Sequence, residues 1–476
     1  MKTKFNRKLL VTLCSTALLG TTQIALAEQT YDVIVKLKNP NAPFAISAQS
    51  AQRNATPASR AQFFRSQAQV RKSAVQSYAQ KMRIKPNHVY DTAYFGFSAK
   101  VTKAQRDALQ SDPNVEAVYE DVMYQLLHPA NNKQSKTYKK KRKLIDWPQV
   151  VPQAPMDSGS YASSYKGSGQ HVYVLDSGVD THQNDIKDNM GLSYAPVFCF
   201  KPSDSRLCPL PFSDDNGHGT HVAGTVAAAD NAINSLGVAP EATIHAVKVC
   251  NYTGSCPGSA ILAGLNWSVF DMLGRGEAAV ANLSLGGGDG SDAGTCDETG
   301  YTGDHFVAET YCNAAHQGMV IVVAAGNSSA DAAGFSPAQF DSTIAVSSYT
   351  SYDADFDEVV FSGFSNYGEG PNSWSSVNSG VITIGAPGNS ITSLNRTHAN
   401  TLLSGTSMAS PAVAGAAALV MEKYTQSLDF SALQNVRQML VDNAIYPSFV
   451  TDDDEDFDYP HAEGILNVRF LEDDEE

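Results

Sequence analysis

The chain has 476 residues, 42% of them hydrophobic and 17% charged, with a formal net charge of −15 at pH 7. That length allows two or three domains and a sizeable core. Scattered Lys and Arg, the lack of any RNA or DNA motif and an export-like start argue against a nucleic-acid partner, and no run of about 18 apolar residues is present to anchor the chain in a membrane.

In chain order, Lys2, Lys4, Arg7 and Lys8 come first, followed by an apolar stretch from Leu9 to Leu19 and then Ala25-Leu26-Ala27. Residues 1–27 therefore read as a signal peptide, and the mature protein is predicted to be secreted. Cys14 would leave with the signal. The six remaining cysteines allow 15 connectivities, and their clustering favours Cys199–Cys208, Cys250–Cys256 and Cys296–Cys312. No CxxC occurs, which weakens a zinc or redox reading.

Residues 28–143 hold 20 Lys and Arg against 8 Asp and Glu, a balance of +12, and residues 144–476 hold 10 against 41, or −31. A basic segment ahead of a strongly acidic one predicts two domains that bind each other. Within the first, YDVIVKL (31–37) alternates as a strand and 60–82 has a polar helical pattern. TAYFGFSAKV (92–101) is strand-like. TKAQRDALQSDP (102–113) is a helix with Thr102 as N-cap and Pro113 as stop, and VEAVYEDV (115–122) is a further strand. Together these make a small α+β domain over residues 28–127. HPANNKQSKTYKKKRK (128–143) is polar and basic without a hydrophobic period, and reads as a linker open to proteolysis.

From residue 171 the pattern changes. HVYVLDSG, TIHAVKVC, AVANLSLGG, MVIVVAAGN and STIAVSS are short apolar strands, with helical stretches such as THVAGTVAAA and SAILAGLNWSVFDML between them. Continuous apolar strands alternating with helices predict an α/β domain built on a doubly wound parallel sheet. Function in such sheets gathers at the carboxyl ends of the strands, where Asp176, Ser284 and Asn327 stand. The acidic runs 452–458 and 472–476 read as solvated loop and tail.

NGHGTHVAG (216–224) places His218 and His221 three apart, on one face of a helix. A zinc pair is geometrically possible, but Gly219 and Thr220 stand where a metalloprotease needs a glutamate and a four-residue step. Acyl transfer instead needs a nucleophile, a base, an orienting carboxylate and an oxyanion hole. Candidates are Asp176, His218 and Ser407, the last at the start of an Ala-rich helix in SGTSMASPAVAGAAAL whose N-terminus would favour an oxyanion.

VLDSGVD, NGHGTHVAG and GTSMASP, in that order, resemble the three signatures of the subtilisin family (subtilases). SLGG (284–287) and AAGN (324–327) resemble its substrate-strand and oxyanion segments. The similarity runs from about 147 to 468, inside a catalytic domain of 144–476, and residues 31–127 are similar to the family's inhibitory propeptide. The resemblance implies a self-processing serine endopeptidase, acting as a monomer on protein or peptide substrates with broad sequence preference. Ser407 would be the nucleophile, His218 the base, Asp176 its orienting partner and Asn327 the oxyanion donor beside the Ser407 N–H. His221 would be structural. Substrate would add as a strand between Ser284-Leu285-Gly286 and the stretch Gly254 to Gly258, with Cys250–Cys256 stapling a substrate loop. First cleavage would fall near Leu127–His128, with the propeptide acting as chaperone and inhibitor. The resemblance also implies a structural Ca²⁺ held by the Asp185 carboxylate, the Asn231 side chain and the carbonyls of Ala229, Ile233 and Ser235, with Asp146 as a substitute for a further ligand. Ala412 departs from the His often found there in the family, and 289–312 and 350–360 are longer than in compact relatives.

Overall fold

The computed structural model describes residues 29–38, 56–127, 142–143, 164–200, 208–231, 235–288, 293–351, 358–368, 381–397, 399–445 and 463–471. Residues 1–27, read above as a signal peptide, residues 128–141, Asp146, Ile233 and the two acidic runs lie outside them. No helix among the described residues is long and apolar enough to cross a membrane.

The first domain runs β1 (Thr30–Leu37), α1 (Pro57–Lys81), β2 (His88–Tyr90), β3 (Gly96–Thr102), α2 (Lys103–Ser111) and β4 (Val115–Glu120). Its four strands form a sheet in the order β2-β3-β1-β4, antiparallel throughout. Helix α2 starts as its residues dictate. The Thr102 side chain accepts from the Gln105 N–H, and the Gln105 side chain returns to the Thr102 N–H, closing a capping box. Val33, Val35, Val75, Phe97 and Leu109 fill the core. The strand expected over 92–101 begins only at Gly96. The backbone N–H groups of Asp91, Thr92 and Ala93 all donate to Asn266 Oδ1, at 3.2, 2.7 and 3.1 Å. Those donors are therefore lost to a sheet ladder, and the segment turns instead.

Next comes β5 (Met123–Leu126), then β6 (Arg142–Lys143), and then the larger domain. That domain contains β7 (His171–Asp176), α3 (His218–Ala227), β8 (Thr243–Lys248), β9 (Ser255–Pro257), α4 (Gly258–Arg275), β10 (Ala279–Leu283) and β11 (Leu285–Gly288). A hairpin of β12 (Thr295–Asp297) and β13 (Gly300–Thr302) leads into α5 (Phe306–Ala315) and β14 (Met319–Ala324). After β15 (Phe335–Ser336) come β16 (Ile344–Ser351), β17 (Glu358–Phe361) and β18 (Ile384–Pro387). The hairpin β19 (Ile391–Leu394) and β20 (Asn400–Leu403) precedes α6 (Thr406–Lys423) and α7 (Ser431–Asp442).

The main sheet has the order β6-β17-β16-β14-β10-β7-β8, with β18 also on β16. Strands β8, β7, β10, β14, β16 and β18 run parallel, and only the β17–β6 ribbon at one edge is antiparallel. Both faces are covered. Along β7, Val172 and Val174 point to the side holding Val222 of α3 and Val413 of α6, and Tyr173 and Leu175 to the side holding Ile261 of α4 and Tyr311 of α5. Burial on both faces explains why these strands read as continuous apolar runs. Cys199–Cys208, Cys250–Cys256 and Cys296–Cys312 are bonded in sequential pairs, and the last ties the β12–β13 hairpin to α5.

The two domains meet over α4 and α5. Tyr90 donates its hydroxyl to Ser259 O at 3.0 Å, Asn313 Nδ2 donates to Ala93 O at 3.1 Å, and Tyr119 stacks on Phe306 at 4.3 Å. Asp121 accepts from Ser259 N at 2.8 Å at the start of α4, and burial raises its pKa. Lys36 pairs with Glu309 across the contact. Apolar stacking and neutral hydrogen bonds thus accompany the charge contrast expected from composition.

Candidate active site

Two side chains far apart in sequence, Asp176 and His218, meet at the carboxyl end of β7, and Ser407 lies beside the Leu127 and Ser284 carbonyls. Asp176 closes β7, His218 opens α3 and Ser407 is the second residue of α6, and each is at most 1% exposed. His218 Nδ1 lies 2.9 and 3.0 Å from Asp176 Oδ1 and Oδ2. Oδ1 also accepts the Ser177 N–H at 2.7 Å, which fixes the carboxylate plane. Gly219 is needed for this approach, because a Cβ there would sit 2.1 Å from Gly178 O and 3.1 Å from Asp176 Oδ1.

The chain fills this site with its own segment. Strand β5 lies antiparallel between β11 and β9, with Leu126 opposite Leu285, Gln125 opposite Gly286 and Ser255, and Tyr124 opposite Cys256. Leu126 N donates to Gly254 O at 2.9 Å, and Gly258 N donates to Val122 O at 2.8 Å. Tyr124 and Leu126 are 4% and 5% exposed, and burying each is worth roughly 1.5–3 kcal/mol. The Leu127 carbonyl follows the strand and reaches Asn327 and Ser407. Its oxygen accepts from Asn327 Nδ2 at 2.8 Å and lies 3.0 Å from Ser407 Oγ. Ser284, Leu285, Gly286, Gly254 and Gly258 therefore all border β5.

The Subtilase family model matches residues 167–465, and the Peptidase inhibitor I9 model matches residues 32–127. The chain belongs to the subtilase family. It is 37% identical over 274 residues to Subtilisin DY of Bacillus licheniformis, covering 58% of this chain and 84% of that one. It is 32% identical over 350 residues to the Alkaline protease of Alkalihalobacillus alcalophilus, covering 74% and 75%. A solved cold adapted subtilisin-like serine proteinase is 28% identical, with a TM-score of 0.47, and covers 67% of this chain and 94% of that one.

Several supports of the site in this subtilase escape sequence reasoning. Asn327 Oδ1 accepts from both the N–H and the hydroxyl of Thr406, each at 2.9 Å, so its Nδ2 is aimed at the Leu127 carbonyl. Asn366 holds the loop after Asn327, accepting from Ser328 N at 2.9 Å and donating to Ala325 O at 3.0 Å. Gly405 leaves room for the carbonyl, because a Cβ there would lie 3.0 Å from Asn327 Nδ2 and 3.1 Å from Leu127 O. Asp214 Oδ1 takes the Ser177 hydroxyl and the Gly217 N–H, and its Oδ2 takes the N–H and hydroxyl of Thr220. A buried carboxylate thus caps the helix that begins at His218.

His221 is fully buried, with Nε2 3.1 and 3.2 Å from the carbonyls of Ile391 and Thr401. Burial, reinforced by neighbouring His218, pushes its pKa down to about 4, so it is a neutral tether to the β19–β20 hairpin. Ala412 packs in the core.

Asp185 is fully buried beneath the loop that follows α3. Ala229 N donates to its backbone carbonyl at 2.7 Å, and Ser235 N donates to its Oδ2 at 3.3 Å. Asp185 is thus hydrogen-bonded to both Ala229 and Ser235.

Proposed function

We propose that this subtilase is a secreted serine endopeptidase that cuts its own precursor between Leu127 and His128 and then hydrolyses a broad range of proteins. The observation that carries this reading is the Leu127 carbonyl, which ends a strand paired on both sides and lies between Ser407 Oγ and the Asn327 amide. This is how an extended substrate sits before attack.

In this reading Ser407 Oγ attacks the carbonyl carbon and His218 takes its proton. Asp176 holds the imidazole with Nδ1 protonated, so that the Nε2 lone pair accepts the proton. Negative charge develops on the carbonyl oxygen, where Asn327 Nδ2 and the Ser407 N–H stabilise it. Protonated His218 then returns the proton to the leaving amine, and water resolves the acyl-enzyme by the same steps. Main-chain pairing supplies most recognition, which supports broad specificity. The propeptide, residues 28–127, remains in the cleft as inhibitor, and the released chain, after later trimming of the basic linker 128–143 to the domain of 144–476, acts as a monomer. A fluorophosphonate probe should label the mature protein, with the adduct on Ser407 by peptide mapping. An unlabelled mature protein would be an inactive scaffold and would sink this reading.

We propose further that the loop over Asp185 binds a structural Ca²⁺. Asp185 is fully buried and its carboxylate accepts the Ser235 N–H, and the donors that the resemblance implies, from Asp185, Ala229, Asn231, Ile233 and Ser235, are hard oxygens that suit Ca²⁺. Saturating Ca²⁺ should stabilise the fold by about 2.7 kcal/mol at 100 times Kd. Chelation should lower the melting temperature and speed autolysis, and Asp185→Ala should blunt both responses. Identical melting and autolysis in EDTA and in excess Ca²⁺ would remove the site.

A further inference from the structure

Lys248, the last residue of β8, is fully buried beside the Asp176–His218 pair, and the mechanism above does not use it. All three of its ammonium protons have acceptors: Ser177 O at 2.6 Å, Asp215 Oδ1 at 2.6 Å and Cys250 O at 3.0 Å. Asp215 is also buried, and its Oδ2 takes the Phe200 N–H at 2.8 Å. A buried ion pair is weak evidence for stability, because apolar replacements are often as stable. What distinguishes this pair is the set of segments that it joins.

One partner, Ser177, follows Asp176 and donates its N–H to the Asp176 carboxylate. Another, Asp215, lies in the turn that leads to His218. The adjacent Asn216 accepts the His218 N–H at 3.2 Å and donates to Tyr252 O at 3.1 Å. The third, Cys250, is bonded to Cys256 in β9, the strand that pairs with the chain in the cleft. Cys250 N and Val249 N both donate to Asp176 O, at 3.1 and 2.9 Å. The ammonium group therefore stands where the orienting acid, the approach to the base and one substrate strand meet.

Resting on the serine-peptidase reading, we propose that Lys248 is a positioning residue that couples occupancy of β9 to the alignment of Asp176 and His218. Binding far from the reacting bond raises kcat only when it is transmitted to the reacting groups. Displacements of about 1 Å at such groups can cost roughly a hundredfold. With Lys248 in place, the substrate strand and the Asp176–His218 pair move as one body, and longer substrates gain in turnover.

The test compares kcat for a single-residue anilide and a tetrapeptide anilide with the same residue before the scissile bond. Wild type, Lys248→Met/Asp215→Asn and Asp215→Asn are each matured from the full precursor. In the double variant, kcat on the tetrapeptide should fall about tenfold more than on the short substrate, within the range that misplacement allows. Asp215→Asn retains the two carbonyl bonds of Lys248 and should give a ratio of about three, so it decides alone where the double variant does not mature. Equal losses on both substrates, or no loss on either, overturn the proposal. Wild-type hydrolysis of the anilides, abolished by the fluorophosphonate probe, reports separately on the peptidase reading.

Discussion

Ser407→Ala is expected to lower peptide hydrolysis about a millionfold and to leave the precursor uncut, a loss of the size measured for the same change in a subtilisin. The hydroxyl lies 3.0 Å from Leu127 O and 3.1 Å from Ser284 O, so its removal deletes the attacking atom and leaves the paired strand in place. Alanine suits the buried first turn of α6, and folding should be retained. The precursor should therefore accumulate with residues 28–143 still attached, in a host free of other proteases. A Ser407→Ala precursor that matures normally would show that another enzyme makes the cut.

Asp176→Asn is the second large effect, with an expected loss of about 10⁴ in kcat. The carboxylate accepts from Ser177 N through Oδ1 and faces His218 Nδ1 with both oxygens. An asparagine would keep its oxygen toward the Ser177 N–H and turn its NH₂ toward the imidazole. Nδ1 must then accept, the proton moves to Nε2, and the ring can no longer take a proton from Ser407. KM should stay within about threefold, since the strand pairing that binds substrate does not involve Asp176. A variant that retains a tenth of wild-type kcat would mean that Asp176 does not set the tautomer.

Much of the candidate site is legible in the sequence because the proposed reacting groups stand in contiguous motifs. HVYVLD, NGHGTHVAG and GTSMASP each join a strand end or helix start to one proposed site residue, and local patterning carries both facts. The strands that flank β5 are legible for the same reason, since SLGG and the 254–258 stretch combine extended residues with glycines. The supporting residues are not. Thr406 acts on Asn327, and Asn366 on the loop after it, across 79 and 38 residues. Asn266 reshapes residues 91–93 from about 175 positions away, and a single buried polar side chain leaves no periodicity to read. The same long-range contact explains why TAYF turns although its residues favour a strand. Helix α1 begins three residues before the predicted start, at Pro57 after the Thr56 N-cap, a signal that was present in the sequence. The β17–β6 ribbon was not predicted, because its two-residue partner carries no alternation of its own.

Self-cleavage after Leu127 is tested most directly by the mass of the N-terminal fragment released as purified wild-type precursor matures, with Ser407→Ala run in parallel. A fragment ending at Leu127 and a first new N-terminus at His128 are expected from the wild type, and no fragment from the variant. A wild-type precursor that stays intact, or whose new N-terminus lies before Ala117, would contradict the proposed role of the Leu127 carbonyl.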